Sequence, residues 1–359
     1  MFGITSLRVW FKFLRFLGGN ITVELKASKY YQYLVLKNLA ENGVFEYFKE
    51  PHTYENFIEY FQVIDDSYSR ELMNTLFKHG ILIKENDNEF RLNLQSKDHA
   101  LKYLMKYKPE EIPNKAPGTI MPPELADDLN YVFEEYATGI FSRLQGNFYE
   151  FAGGVQLFNW DSTLSRAMYQ MSRDSALLMA KAHKLKNGRV LDLGCANGYG
   201  TADIWRRLHP KGNEIHAIDR TNELLDIARN EFGQWLEQQG YPGPYDDPFP
   251  TFYRMDAEDL SFPDNHFDLI IVNYVFHWLK DQQKGIDEIT RVLKSGGKIC
   301  GSQPALEVHS SQWLDYVLRT VKGVEGMPPE MKFRKFFTDK GFHISRRTLF
   351  GFFCAVKPR

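Results

Sequence analysis

Between residues 28 and 48 apolar side chains return at helical intervals, with Tyr33, Leu36, Leu39 and Ala40 on one face, and the pattern breaks near Gly43. A second helix is expected from Thr53, whose hydroxyl suits an N-cap, with Phe57, Ile58 and Phe61 on its buried side. A third, capped by Asp66 or Ser67, carries Leu72, Met73, Leu76 and Phe77 and stops at Gly80. Residues 81–83 and 90–92 then flank Asn86, Asp87 and Asn88 as two short strands flank a turn. The stretch 109–123 holds Pro109, Pro113, Pro117, Pro122 and Pro123, which cannot propagate helix or central strand, and so reads as a linker. Helical patterns resume over 124–144 and 162–185, a connector and lid spanning 124–185, interrupted by an irregular aromatic stretch over 146–160. After Gly188 the pattern becomes alternating apolar strands and amphipathic helices to the end of the chain, one domain over 186–359.

Helices followed by a hairpin make residues 20–108 winged-helix-like, and such domains often bind DNA. Charge argues otherwise here. Between Glu24 and Lys106 there are 11 Lys and Arg against 13 Asp and Glu, and the would-be recognition helix offers only Arg70 and Lys78 as cations. Phosphate neutralisation dominates DNA affinity, so a dimerising or substrate-capping role is expected, with no nucleic-acid partner. The chain as a whole carries a formal charge of −2, which supplies no field toward nucleic acid or anionic lipid. Residues 1–19 differ: Arg8, Lys12 and Arg15 fall on one stripe of a helix that is otherwise apolar, with Phe2, Trp10, Phe11, Phe13 and Phe16. Such a helix lies in a membrane interface or packs on protein. Three cysteines, Cys195, Cys300 and Cys354, are odd in number and widely spaced, which argues against a disulfide framework and fits a reducing, cytoplasmic compartment, with peripheral membrane contact through 1–19.

The chemistry is concentrated after Gly188. Arg189-Val190-Leu191-Asp192-Leu193 reads as a buried strand and runs into Gly194-Cys195-Ala196-Asn197-Gly198-Tyr199-Gly200, then a helix. The next strand, 214–218, closes with Asp219 and Arg220. Glycines in the first turn let main chain approach a ligand closely, and an acid at the second strand's end suits the two hydroxyls of a ribose. A dinucleotide fingerprint would place Gly where this chain has Ala196 and Tyr199, which disfavours a nicotinamide oxidoreductase. The run Asp-Leu-Gly-Cys-Ala-Asn-Gly instead resembles the first motif of the class I S-adenosylmethionine-dependent methyltransferases, commonly Asp-x-Gly-x-Gly-x-Gly, with Ala196 in place of the middle glycine. Residues 252–260, 267–273 and 292–299 resemble the family's later motifs in order and spacing, and the resemblance covers about residues 160–359.

The resemblance implies an α/β fold: a Rossmann-like seven-stranded sheet, mostly parallel with an antiparallel last strand, behind an N-terminal α+β winged-helix-like domain. It implies S-adenosyl-L-methionine as cofactor and S-adenosyl-L-homocysteine as product. The donor site would comprise Asp192, Gly194, Ala196, Asn197, Gly198, Asp219, Arg220, Asp256, Ala257, Asn273 and Tyr274. Asp219 would hold the ribose, Asp256 with the Ala257 backbone the adenine, and Asp192 either the donor's amino group or only the following turn. No carboxylate–amide set is apparent that would place a metal beside the donor.

For the acceptor, His277 just past the fourth strand of the sheet is the candidate base, or else a wall of the pocket; in winged-helix O-methyltransferases a catalytic His lies close by, one residue out of register. Tyr149, Trp160, Arg166, Tyr169 and Trp278 are candidates for the acceptor pocket. The expected activity is methylation of a small or lipid-like acceptor by a homodimeric enzyme, oxygen being favoured over carbon because the two-domain plan resembles hydroxyl-methylating enzymes. The alternatives are carbon methylation of an isoprenoid or quinone ring, and a non-catalytic regulator that senses the donor.

Overall fold

The computed structural model describes residues 26–114, 128–150, 164, 167–245, 248–307, 309–347 and 351–359. The amphipathic stretch 1–19, most of the proline-rich linker, and Trp160 and Arg166 lie outside them.

Two compact units emerge, and their boundary differs from the one read along the chain. The first unit takes the described residues up to Glu150 together with His309–Gly326, whereas the second takes the described residues from 164 to 307 and then Met327–Arg359. The segment 309–326 therefore leaves the C-terminal domain to which the strand–helix pattern had assigned it, and the connector over 124–185 is divided between the units.

In the first unit, a helix over 26–41 and the short helix Val44–Tyr47 lead to strand β1 (His52–Thr53), and helices Tyr54–Phe61 and Asp66–Lys78 follow. Thr53 caps the first of these by accepting from Asn56 N. The second is capped by Asp65, which accepts from Tyr68 N, one residue ahead of the expected cap. Asp65 also meets Arg143, an anchor that the local pattern did not reveal. Strands β2 (Leu82–Lys84) and β3 (Glu89–Leu92) pair antiparallel around the Asn86–Asn88 turn, and β1 pairs with the other side of β3.

Helix His309–Leu318 covers helix Asp66–Lys78 within this unit. Tyr68 OH donates to Tyr316 O at 3.0 Å, the hydroxyls of Thr75 and Tyr316 are 2.6 Å apart, and His79 Nε2 lies 3.1 Å from Gln312 Oε1. The guanidinium groups of Arg143 and Arg319 stack on the buried Tyr68 ring at 4.9 and 5.0 Å.

The second unit is built on a seven-stranded sheet in the order β6-β5-β4-β7-β8-β10-β9: β4 (Arg189–Leu193), β5 (Glu214–Asp219), β6 (Thr251–Arg254), β7 (Phe267–Asn273), β8 (Leu293–Ser302), β9 (His343–Arg347) and β10 (Phe352–Val356). Strands β4 to β8 are parallel, and β10 runs antiparallel to both neighbours. Both faces are covered, as a parallel sheet requires, which is why its strands read as unbroken apolar runs. Val190, Ile215, Ala217, Leu269 and Ile271 enter one core with helices Ala167–Ala180, Tyr199–Leu208 and Asn222–Gln238. Their strand neighbours Leu191, Leu193, Ile218, Ile270 and Val272 enter another with helices Gln282–Val292 and Glu330–Thr338.

Residues 294–297 lie inside β8 at a register shift opposite Phe267 and Leu269, with Gly296 at φ 74°. One expectation is corrected. Cys300 and Cys354, which the cysteine spacing had set against disulfide pairing, face each other across β8 and β10 and are joined by a disulfide. Strand pairing brings together residues 54 apart in sequence, which no local spacing reveals. Cys195 is a free, buried thiol. Among the described residues no helix is long and apolar enough to cross a membrane.

Candidate functional site

Strand β4 lies inside the sheet, with β5 on one side and β7 on the other. The direction of winding reverses here, so the connections leaving the two sides part and open a crevice at the carboxyl ends of the strands. The glycine-rich loop after β4 enters it. Gly194, Ala196 and Gly198 all have positive φ, at 76°, 49° and 80°. A Cβ on Gly194 would stand 2.5 Å from Val275 Cγ2, and one on Gly198 would stand 2.9 Å from Ala228 Cβ. Both positions therefore require glycine. Ala196 adopts the same left-handed region with a side chain, at a cost of about 1–2 kcal/mol.

The loop is fastened to the tip of β5. Gly194 N and Cys195 N both donate to Ile218 O at 2.9 Å, and Ala196 N donates to Asp219 Oδ2 at 3.0 Å. Thr221 N donates to the other oxygen of Asp219 at 3.0 Å, so the carboxylate is held in one orientation beside the loop. Burial raises its pKa above the usual carboxylate range, against the pull of these backbone donors.

Asp192 is fully enclosed and accepts from Thr201 Oγ1 at 2.6 Å; burial pushes its carboxyl up to about 6, with Thr201 and Arg173 opposing. Asn197 is buried, accepting from Tyr199 N through Oδ1 and from Trp235 Nε1 through its carbonyl. Past β6, Asp256 is exposed and accepts from Glu258 N at 2.9 Å, while Ala257 beside it is buried. The Arg220 guanidinium lies 5.6 Å over the Trp278 ring.

Beyond β7 and β8 the materials change. Asn273 Oδ1 accepts from Ser302 Oγ at 3.1 Å, and Tyr274, at φ 56°, donates its N–H to Ser302 O at 2.8 Å. The Tyr274 hydroxyl is 3.0 Å from Ser172 Oγ, and its ring meets Tyr169 edge-on at 5.0 Å. His277 is buried in the single 3-10 turn Phe276–Trp278. Burial pushes its pKa down to about 4, only partly offset by Gln303, whose Oε1 lies 3.4 Å from Nδ1.

Parallel pairing thus brings Asp192, Gly194, Asp219, Asp256, Asn273 and Tyr274 to one edge of the sheet, with His277 and Trp278 just beyond it. Tyr149 lies in the first unit, where its backbone bridges to Thr320 and Lys322 and its hydroxyl is 2.6 Å from Thr138 Oγ1. Sequence reasoning missed Thr201, Ser172, Val275 and Gln303. The spacing from Asp192 to Thr201 was available as a signal, since nine residues carry the chain from strand to facing helix; nothing local pointed to Gln303.

A sheet of this order, with a glycine loop and an acid at adjacent strand tips, is the fold of the class I S-adenosylmethionine-dependent methyltransferases. The family model described as a methyltransferase domain matches residues 191–301. Among curated relatives, a stretch of 131 residues is 34% identical to the ubiquinone/menaquinone biosynthesis C-methyltransferase UbiE of Vibrio cholerae, covering 36% of this chain and 46% of that protein. Another, of 170 residues, is 31% identical to the chloroplastic 2-methyl-6-phytyl-1,4-hydroquinone methyltransferase 2 of Oryza sativa subsp. japonica, covering 47% and 43%. The chain thus spans less than half the length of these two relatives. Two solved structures share the fold over nearly all of both chains. The CurJ carbon methyltransferase has a TM-score of 0.64 at 16% identity, covering 96% of this chain and 94% of that one. The DszA carbon methyltransferase has a TM-score of 0.67 at 15% identity, covering 99% and 95%.

The strand tips suit the donor. At Gly194 a Cβ would strike Val275, so the loop can pack there only as glycine, and the Asp219 carboxylate is fixed beside it.

Proposed function

We propose that the protein transfers a methyl group from S-adenosylmethionine to a carbon atom of a small or lipid-like acceptor, of which an alkylated hydroquinone ring is the leading class. The fastening of Ala196 N to Asp219 at the crevice carries the donor part of this reading. Asp219 would hold the ribose hydroxyls, Asp256 with the Ala257 amide the adenine, and Asp192 with Asn273 and Tyr274 the methionine end. Gly194, Ala196, Asn197 and Gly198 shape the loop, and Arg220 with Trp278 flanks it. The bound donor supplies an electrophilic methyl on a sulfonium and leaves as S-adenosylhomocysteine.

Carbon is favoured over oxygen for two reasons. The relatives described above that name the methylated atom are carbon methyltransferases, so the preference for hydroxyl methylation drawn from the two-domain plan finds no support in them. The second reason is the basicity of His277. A hydroxyl must lose a high-pKa proton to become a good nucleophile, and an imidazole with pKa about 4 takes such a proton poorly. A hydroquinone carbon attacks with its electron pair first; once it carries the methyl, its own hydrogen is strongly acidic and a weak, neutral base removes it. In this scheme the C–C bond forms as the S–C bond breaks, and the ring proton passes to His277. Tyr169, Tyr274 and Trp278 offer aromatic faces to an apolar ring.

The regulator reading is opposed by the cover over helix Asp66–Lys78, whose Tyr68, Thr75 and His79 are engaged by helix His309–Leu318. A winged-helix-like capping or dimerising role for the first unit, and peripheral membrane contact through residues 1–19, complete the proposal. Incubation with a trideuteromethyl-labelled donor and either 2-methyl-6-phytyl-1,4-hydroquinone or a catechol tests it, with the label located by NMR. Label on a ring carbon is the expected result; label on catechol oxygen alone would sink the reading.

A further inference from the structure

Gln303 directly follows β8, and its side chain is completely buried. Its Oε1 accepts from Phe276 N at 3.2 Å, and a main-chain N–H is only ever a donor, so this atom is the amide oxygen and not the nitrogen. The same oxygen lies 3.4 Å from His277 Nδ1. An oxygen offers no proton to that nitrogen, so a neutral imidazole meets it favourably only by carrying its own hydrogen on Nδ1. The Gln303 Nε2 group bends back toward Pro304 O at 3.4 Å, which keeps the amide from rotating to present a donor.

The backbone of Gln303 is clamped as well. Its N–H donates to Gly351 O at 2.9 Å, and Gly351 has φ 66° with its hydrogen against Gln303; a Cβ there would stand 2.4 Å from the Gln303 carbonyl carbon. The residue before β10 therefore fixes the residue after β8, which in turn grips the turn holding His277.

We propose that Gln303 is a positioning residue that locks His277 in the tautomer protonated on Nδ1, leaving the lone pair on Nε2 as the proton acceptor. The inference rests on the role assigned to His277 above and adds the nitrogen that does the work and the group that selects it. In water imidazole holds its proton on either nitrogen and exchanges freely, so without Gln303 the acceptor lone pair would be in place for only part of the molecules. Because the partner is a neutral amide, it orients the ring without the strong increase in basicity that a carboxylate at the same distance would bring.

The test uses the full chain labelled with imidazole-15N histidine, the His277 signals being identified by their loss in His277→Phe. In the native protein Nδ1 is expected to be protonated and Nε2 bare. Gln303→Met, which removes the acceptor while filling the space, should reduce the Nδ1-protonated form to a minority. Gln303→Glu should keep it and raise the titration midpoint of His277 by about one unit or more. In turnover with the carbon acceptor, Gln303→Met should lower kcat by about tenfold or more while donor affinity is unchanged, and Gln303→Glu should restore kcat. Protonation of native His277 on Nε2, or an imidazole spectrum unaltered in Gln303→Met, would overturn the inference even if methyl transfer is found. The predicted spectra together with undiminished turnover in His277→Phe would instead remove the base role and leave the tautomer lock standing. Should Gln303→Met not fold, the native and glutamate spectra still decide.

Discussion

At the tips of β4, β5 and β6 stand the carboxylates Asp192, Asp219 and Asp256, beside Asn197, Arg220 and Arg254, and main-chain amides of a glycine-rich loop stand between them. Just past β7 and β8 the same edge presents Tyr274, His277, Trp278 and Gln303, none of which is negatively charged. The first region is suited to a polar, cationic molecule with hydroxyls to bind; the second is suited to an uncharged, flat one. Burial acts on both in opposite chemical senses, raising the carboxyl of Asp192 to about 6 and lowering the imidazole of His277 to about 4, and in each case it disfavours charge. A bound sulfonium restores the balance on the first side only. Under the proposed assignment, one strand edge divides into a donor half that wants a positive charge and an acceptor half that wants none.

Breaking the donor half should have the largest effect. Asp219→Ala removes the carboxylate and frees the amides of Ala196 and Thr221, and affinity for S-adenosylmethionine by calorimetry should fall about a hundredfold or more. Unchanged affinity would show that the ribose is held elsewhere. Next comes Gly194→Ala, which puts a methyl against Val275 at positive φ; urea unfolding should register a loss of about 2–3 kcal/mol, and donor binding should weaken with it.

The opposed titrations give a third test. The folded pKa of Asp192 is raised, so its stabilising contribution is complete below about 4 and is lost as pH rises through about 6. The folded pKa of His277 is lowered, so its contribution is complete above about 6.5 and is lost as pH falls through about 4. Between pH 4.5 and 6.5 the two nearly cancel in the native chain. In Asp192→Asn only the histidine contribution remains, and the variant should gain about 2 kcal/mol relative to the native protein as pH rises across that window, read from urea midpoints. An identical pH profile for the two proteins would refute the opposition. The smallest effect is expected from Ala196→Gly, which relieves a left-handed alanine while loosening the unfolded chain. A net gain below about 1 kcal/mol, with donor affinity within about twofold, would mark that methyl as a strain and not a contact.

Much of the donor half was legible because its residues are contiguous. A strand, its glycine turn and the acid at the end of the next strand announce themselves through local periodicity, and the structure joins Ala196 to Asp219 as such a unit should be joined. The acceptor half was legible in part, at Tyr169, His277 and Trp278. Gln303, the partner of His277, lies 26 residues on, and Ser172 comes from a helix 102 residues before Tyr274. Tyr149 is bonded through its backbone to Thr320 and Lys322, partners that no local pattern revealed. The cysteines repeat the lesson: spacing argued against a disulfide, and antiparallel register placed Cys354 opposite Cys300.

Order of strands and helices and the glycine turn at Gly194 were determined by the sequence alone, because each depends on side-chain alternation or on a few adjacent dihedral angles. Which histidine nitrogen carries the proton, which of two faces each buried strand residue fills, and the passage of residues 309–326 into the first unit were decided only in three dimensions. The physical reason is the same throughout: local geometry is fixed by neighbours along the backbone, whereas hydrogen-bond partners and desolvation come from whatever the sheet brings alongside.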